Sequence, residues 1–228
     1  MAEPMLWMGG WASNLACWRK TIEARFPGRK HRYLDAHAVL ADASALESAA
    51  AGMPPGGVIL AWSMGSLLLH RALAAGPFPD VRMISLCPIL DFCGEGSPWP
   101  PAVVAHMLRK LARSREEVLE EFWQLAKGGS AVSPEDEDAW RKQAAGYSFD
   151  SLAAGLEALA SIKVDPAALP RRPGRHALVA SPRDPVAPAG AQLEGLSDLP
   201  VFDYAEGHLP FLDHPEAVLA ALGGIPPA

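Results

Sequence analysis

Trp62-Ser63-Met64-Gly65 stands directly behind the apolar run Val58-Ile59-Leu60-Ala61 and ahead of the helical pattern Leu67 to Leu73. A run that short and β-branched reads as a strand, and Ser and Gly at its end read as a sharp turn into a helix. A serine on such a turn sits in a strained backbone conformation with its hydroxyl lifted clear of the sheet, which is the placement of a nucleophile. The pattern is A-x-S-x-G, because Ala61 occupies the first glycine position of G-x-S-x-G. Alone it does not separate a nucleophile from a serine that merely follows a buried strand.

A serine hydroxyl becomes nucleophilic only when a base removes its proton and an acid holds that base in the correct tautomer. Asp184 lies in the loop Ser181-Pro182-Arg183-Asp184-Pro185-Val186, just past the apolar run His176 to Ser181. His208 follows the last such run, Val201 to Tyr204, within Ala205-Glu206-Gly207-His208-Leu209-Pro210-Phe211. The chain order Ser, Asp, His, with acid and base each beyond the carboxyl end of a late strand, brings all three to one edge of a parallel sheet. Asp203, inside a strand, and Asp91, after the run ending at Leu86, are the competing acids. The developing oxyanion needs backbone donors. The N–H of Met64, at the start of the helix after Ser63, is one candidate, and the N–H of Trp11 in the loop Gly9-Gly10-Trp11-Ala12 is the other. The alternative reading of Gly9-Gly10 is a plain strand-ending turn. His31, His37, His70, His106 and His176 show no metal-ligand spacing, and His214 before Pro215 suits a helix start.

The elements that must position these groups alternate in the first ninety residues. Short runs at Met5–Met8, Arg32–Asp35, Val58–Trp62 and Val81–Leu86 alternate with helical patterns at Asn14–Phe26, Ala41–Ala51 and Met64–Ala75. Asn14 is placed to cap the first of these helices, with Leu15, Trp18, Ile22 and Phe26 on one face. Such alternation predicts an α/β fold with a mostly parallel, doubly wound sheet. From Gly94 it stops, and four helical patterns follow: Val103–Ala112, Ser114–Ala126, Pro134–Ala145 and Phe149–Ala160. Ser114-x-x-Glu117 reads as a capping box and Ser133-Pro134 as an N-cap with proline at the first helical position. The organisation expected is a core of residues 1–93 and 166–228 with a helical cap, 94–165, inserted in it. The loop Leu169-Pro170-Arg171-Arg172-Pro173-Gly174 returns the chain to the sheet, and Pro215–Leu222 is a closing helix.

At 228 residues, half of them apolar, the chain can bury one substantial core without a disulfide or metal. A net charge of -6 gives no reason to expect nucleic acid, and an acidic partner would need a local basic patch. Cys17, Cys87 and Cys93 lack paired zinc spacing and suit a reduced compartment as core thiols. Met1-Ala2-Glu3-Pro4 carries no basic segment and Gly9-Gly10 interrupts the apolar stretch behind it, unlike a signal peptide. The longest apolar run, Val58 to Leu69, falls short of the roughly 18 residues that span a bilayer. The expectation is a soluble cytoplasmic protein, without membrane association, read as a monomer.

Met8-Gly9-Gly10-Trp11-Ala12-Ser13-Asn14-Leu15-Ala16-Cys17-Trp18 resembles the L-H-G-W-G-x-N-x-x-x-W start of the pimeloyl-acyl-carrier-protein methyl ester esterases of biotin synthesis, which have the α/β-hydrolase fold. Ala61-Trp62-Ser63-Met64-Gly65 resembles their G-W-S-L-G. Gly155-Leu156-Glu157-Ala158-Leu159 resembles G-L-E-x-L, and His208-Leu209-Pro210-Phe211-Leu212-Asp213-His214-Pro215 resembles H-A-P-F-x-x-H-P. The likeness covers most of the chain and is densest at these four places. It maps the triad onto Ser63, Asp184 and His208. Gly9 replaces the family histidine, Ala12 and Ala61 replace glycines, and Leu34-Asp35-Ala36-His37-Ala38 lacks the D-L-P-G-F-G-x-S loop.

The resemblance implies a serine carboxylesterase, without a cofactor, that hydrolyses a methyl ester on an acyl chain held by an acidic acyl-carrier protein. Phe122-Trp123-Gln124-Leu125-Ala126 resembles F-L-A-L-Q, which borders the acyl chain, so Phe122, Trp123 and Ala126 join Trp11 as expected substrate contacts. Arg109, Lys110, Arg113, Arg115, Arg141 and Lys142 are the candidate docking cations. Against docking, Arg113 and Glu117 are four apart and Glu116, Glu120 and Glu121 follow closely, as on a solvated helix face. A general carboxylesterase or thioesterase shares the same tetrahedral intermediate, and a non-catalytic binding protein of the same fold would show a broken triad.

Overall fold

A computed structural model of the chain describes residues 3–170, 174–193, 195–196 and 198–225. Met1 and Ala2, and Arg171, Arg172 and Pro173 of the expected return loop, lie outside the described residues. Six strands, β1 (Pro4–Met8), β2 (Lys30–Leu34), β3 (Val58–Trp62), β4 (Arg82–Leu86), β5 (His176–Ala180) and β6 (Val201–Asp203), form one sheet in the order β2-β1-β3-β4-β5-β6. Every adjacent pair is parallel. β1, β3, β4 and β5 are buried along their whole length, as apolar runs covered on both faces must be, whereas β2 and β6 show exposed residues and are the edges.

The order reverses between β1 and β3. Ligands of open α/β sheets bind beyond the carboxyl ends of strands at such a reversal. Here those ends lead into Gly9-Gly10-Trp11 and Ser63.

The connections are helical: α1 (Arg19–Arg25), α2 (Ala36–Ala41), α3 (Ser44–Ala51) and α4 (Met64–Ala75) before β4. Between β4 and β5 come α5 (Pro101–Leu111), α6 (Arg115–Lys127), α7 (Pro134–Ala145) and α8 (Phe149–Ser161), the inserted helices expected from Gly94 onward. The short α9 (Ala189–Gln192) and α10 (Pro210–Asp213) and the closing α11 (Pro215–Gly224) complete the chain.

Three local expectations are corrected. Asn14 does cap, its side chain accepting from the Ala16 N–H, but it opens a tight 3-10 turn over Leu15–Trp18, and the α-helix begins only at Arg19. The helix expected over Ala41–Ala51 is two helices, because Asp35 caps α2 from the His37 N–H and Asp42 takes the Ser44 N–H and hydroxyl at the break. Ser114 makes no side-chain cap to α6, and Glu117 pairs with Lys110 of α5 at 2.9 Å instead of with Arg113. Ser133, by contrast, caps α7 through the Asp136 N–H with Pro134 in the first turn. Of the three cysteines only Cys87 is a core thiol; Cys17 and Cys93 are half-buried, and none is in a disulfide.

Candidate active site

Ser63 ends β3 with φ 56° and ψ -120°, a conformation that an L residue adopts only under constraint. The constraint comes from close packing. A Cβ on Gly65 would stand 2.3 Å from the Gly9 carbonyl oxygen, so helix α4 can approach the loop after β1 only because residue 65 has none. Ala61 is buried in β3 beside Met8 and Ser85, where its methyl is accommodated. The second glycine of the serine motif is therefore required by this backbone, and the first is not. Gly9 is equally constrained, since a Cβ there would lie 2.0 Å from the Ser13 carbonyl oxygen; this loop has no room for the histidine of the resembling family.

Nε2 of His208 lies 2.9 Å from Ser63 Oγ, and Nδ1 lies 2.7 Å from Asp184 Oδ2. With Nδ1–H donating to the carboxylate, the lone pair of Nε2 faces the serine hydroxyl. The other Asp184 oxygen accepts the N–H groups of Val186 (2.8 Å) and Ala187 (2.9 Å). Burial alone would raise the Asp184 carboxyl; the His208 ring and these two amides outweigh it and hold the group below the ordinary carboxylate range. Asp203 is exposed on the edge strand, and Asp91 pairs with Lys163 at 2.8 Å, so neither reaches His208.

Several residues outside the sequence expectations hold the His208 loop. The Trp62 indole N–H donates to the His208 carbonyl at 2.7 Å, and the Cys87 thiol lies 3.4 Å from the same oxygen. The Tyr204 hydroxyl donates to the Gly207 carbonyl at 3.0 Å, and it lies 3.4 Å from Asp184 Oδ2 and 3.2 Å from Cys87 Sγ. The His208 N–H donates to the Ala126 carbonyl at 3.3 Å, which joins α6 of the insert directly to the loop. Phe211 packs edge-on against Trp62 with ring centres 5.4 Å apart. Among the described residues Cys87, Asp184 and His208 place three ligand-type atoms within 4.8 Å of one another. The carboxylate and imidazole are bonded to each other, and burial with Asp184 nearby pushes the thiol well up, so these groups are spent on one another.

The loop after β1 runs against the serine. A Cβ on Gly10 would sit 3.1 Å from Ser63 Cβ, and the next amide is that of Trp11. Neither the Trp11 nor the Met64 backbone N–H has an acceptor among the described residues. Phe122 meets the Trp11 ring edge-on at 4.8 Å. Trp123 stacks on Trp140 (4.7 Å) and leans on Trp18 (6.2 Å), so its ring is taken up by packing within and beneath the insert. Ser63 is 4 % exposed and His208 fully buried.

Most of the expected docking cations are occupied by acids of the insert. Lys110 pairs with Glu117 and Glu121, Arg115 with Glu116, Arg141 with Glu120 and Glu137, and Lys142 with Asp138. Arg109 and Arg113 are exposed and make no ion pair among the described residues. Among the described residues no helix is long and apolar enough to cross a membrane.

Comparison with known proteins agrees with this architecture. The model of the alpha/beta hydrolase family matches residues 10–221. A protein named Pimeloyl-[acyl-carrier protein] methyl ester esterase from Stenotrophomonas maltophilia (strain R551-3) is 31% identical over 194 residues, 78% of this chain and 73% of that protein. Among solved structures, an esterase from Exiguobacterium antarcticum superposes with a TM-score of 0.72 at 16% identity, over 97% of this chain and 92% of that one. A bromoperoxidase from Bacillus anthracis superposes with a TM-score of 0.73 at 15% identity, over 98% and 92%. The two structures share the fold. The chain is a member of the alpha/beta hydrolase family, a hydrolase acting on esters.

Proposed function

We propose that Ser63, His208 and Asp184 form a catalytic triad that hydrolyses the methyl ester of a pimeloyl chain carried on acyl-carrier protein. The observation that carries the triad is the continuous hydrogen-bond chain Ser63 Oγ, His208 Nε2 and Nδ1, Asp184 Oδ2. His208 takes the serine proton as Oγ attacks the ester carbonyl, and Asp184 stabilises the imidazolium that forms. The N–H groups of Met64 and Trp11 receive the oxyanion; each such donor is worth about 3 kcal/mol in the transition state. His208 then gives its proton to the leaving methoxide oxygen, releasing methanol. A water deprotonated by His208 attacks the acyl-serine, and the second tetrahedral intermediate collapses to the free carboxylate and Ser63.

The substrate part of the proposal is supported by the name of the 31% identical relative and by the four matching segments of sequence. In this reading Trp11, Phe122 and Ala126 border the acyl chain beside Ser63, while Trp123 braces them from behind. Docking of an acidic carrier falls to Arg109 and Arg113, the two candidate cations that the insert's acids leave unpaired. The test is turnover of pimeloyl-carrier methyl ester beside a short-chain aryl ester and an acyl thioester. A preference for the carrier-bound methyl ester supports the reading. Equal or better turnover of the aryl ester or the thioester would reduce it to a general carboxylesterase or thioesterase.

A further inference from the structure

We propose that His37 is a positioning residue for ester hydrolysis. From α2 it holds the loop after β1 by its Ala12 N–H, in the arrangement that aims the Trp11 amide at the reacting carbonyl, and it does so only as a neutral ring. This rests on the reading of Ser63 as nucleophile and of that loop as an oxyanion donor.

The Ala12 N–H donates to Nε2 of His37 at 3.1 Å. Nε2 can accept only if the ring proton is on Nδ1, and Nδ1–H donates to the Ser151 carbonyl of α8 at 3.0 Å, with the Ser151 hydroxyl also 3.1 Å away. The ring thus bridges the loop after β1 to the inserted helices. Ala12 needs such a tie, because its φ of 53° is a conformation an L residue disfavours. The neighbouring Trp11 is tied to the same helix, its indole N–H donating to the Leu152 carbonyl at 2.9 Å. A Cβ on Gly155 would lie 2.6 Å from Trp11 Cδ1 and 2.9 Å from His37 Cε1, so α8, His37 and Trp11 are in direct contact.

An imidazolium carries N–H on both nitrogens and has no lone pair for Ala12, so protonation turns the hydrogen bond into two opposed donors. The titratable groups facing the ring are Asp35, at the start of its own helix, and Tyr147, from the turn before α8. Asp35 accepts the His37 N–H at 2.9 Å and the Tyr147 hydroxyl at 2.9 Å, and the Tyr147 ring centre lies 4.5 Å from that of His37. The loop after β1 and α8 present neutral groups to it: Trp11, Ala12, Ser151 and Gly155. Burial disfavours the imidazolium more than Asp35 and the Ser151 carbonyl favour it, which moves the group below the ordinary histidine range.

The experiment compares wild type, His37→Gln and His37→Phe on a short-chain ester, each counted by stoichiometric labelling of Ser63 with a fluorophosphonate. Gln can accept the Ala12 N–H and donate to Ser151; Phe can do neither. His37→Phe is expected to lower kcat about tenfold to a hundredfold, since it frees a donor whose outright loss costs more, with KM moved within about twofold. His37→Gln recovers most of that loss, and its kcat falls with one ionisation fewer than wild type on the acid side. Unchanged kcat in a fully labelled His37→Phe, equal defects in the two variants, or the same acid limb in wild type and His37→Gln would each overturn the proposal. If His37→Phe does not fold, the acid limb of His37→Gln still decides. Ser63→Ala separates the two readings: turnover at the wild-type rate there sinks the nucleophile assignment, whereas an inactive Ser63→Ala with unaffected His37 variants sinks only the role of His37.

Discussion

The indole N–H of Trp62 donates to the carbonyl of His208 at 2.7 Å, so the residue preceding Ser63 fixes the backbone of His208. Trp62→Phe keeps the ring packing on Phe211 and removes only the donor. A buried carbonyl left without a partner costs about 1–3 kcal/mol, but the Cys87 thiol at 3.4 Å remains beside this oxygen, so the lower end applies. The expected result is a stability loss of about 1 kcal/mol together with a kcat reduced by about tenfold, from a His208 ring no longer held in line. Denaturant unfolding and steady-state kinetics check both halves.

Gly65 and Ala61 have opposite expectations although both belong to the serine motif. Gly65→Ala drives a methyl to 2.3 Å from the Gly9 carbonyl oxygen, a backbone atom that cannot yield without moving the loop after β1. Overpacking of this kind costs about 1–3 kcal/mol, and activity is expected to fall at least tenfold with it. Ala61→Gly costs only the roughly 0.5–1 kcal/mol of a glycine within a strand and leaves kcat nearly unchanged. Thermal unfolding and kinetics of the pair distinguish steric demand from conformity to a pattern.

Stability is expected to depend on His70, two turns along α4 from Ser63. Its Nδ1–H donates to the Ile89 carbonyl at 3.0 Å, and its Nε2 lies 2.9 Å from the Ser85 hydroxyl, which also stands 2.9 Å from Nε2 of His176. Burial pushes His70 down to about 4. Because the folded value lies below the unfolded one, the contribution is complete above the ordinary histidine range and is lost as pH falls through the window between about 6.5 and 4. That loss amounts to about 3 kcal/mol. Urea unfolding at the two ends of the window measures it. His70→Gln should flatten the dependence, and an equally steep loss in that variant would assign it to other groups.

Charge reversal of Arg109 and Arg113 tests carrier docking. The double variant is expected to raise KM for a carrier-linked ester about tenfold while leaving a free short-chain ester unaffected, an effect that shrinks as salt screens it. Reversal of Arg141, which is engaged by Glu120 and Glu137, should act through the stability of α6 and α7 and affect both esters alike.

The Ser63 turn, the loop positions of Asp184 and His208 and the break into inserted helices were legible in the sequence, because each is written locally: a short apolar run, then a small or charged residue, then a change of period. The support that Trp62, Tyr204 and Cys87 give the His208 loop is not legible in the sequence. Their bonds run to main-chain carbonyls and to partners distant in sequence, and such contacts leave no spacing to read. His37 was hidden for a different reason. Capped by Asp35, a helix starts at Ala36, five residues earlier than the apolar pattern predicts, which turns a residue beside a strand into one that faces Ala12 and α8. The pairing of Lys110 with Glu117 and Glu121 likewise crosses from one helix to the next, where an i, i+4 rule looks only along one.

Hydrolysis by this triad requires Ser63 Oγ to form the acyl-enzyme. The most direct measurement is mass mapping after fluorophosphonate treatment, paired with the turnover of Ser63→Ala. One adduct per chain is expected, on the peptide containing Ser63, with activity lost in proportion and with Ser63→Ala folded but without measurable esterase activity. An adduct elsewhere, or Ser63→Ala turning over ester at the wild-type rate, would contradict it.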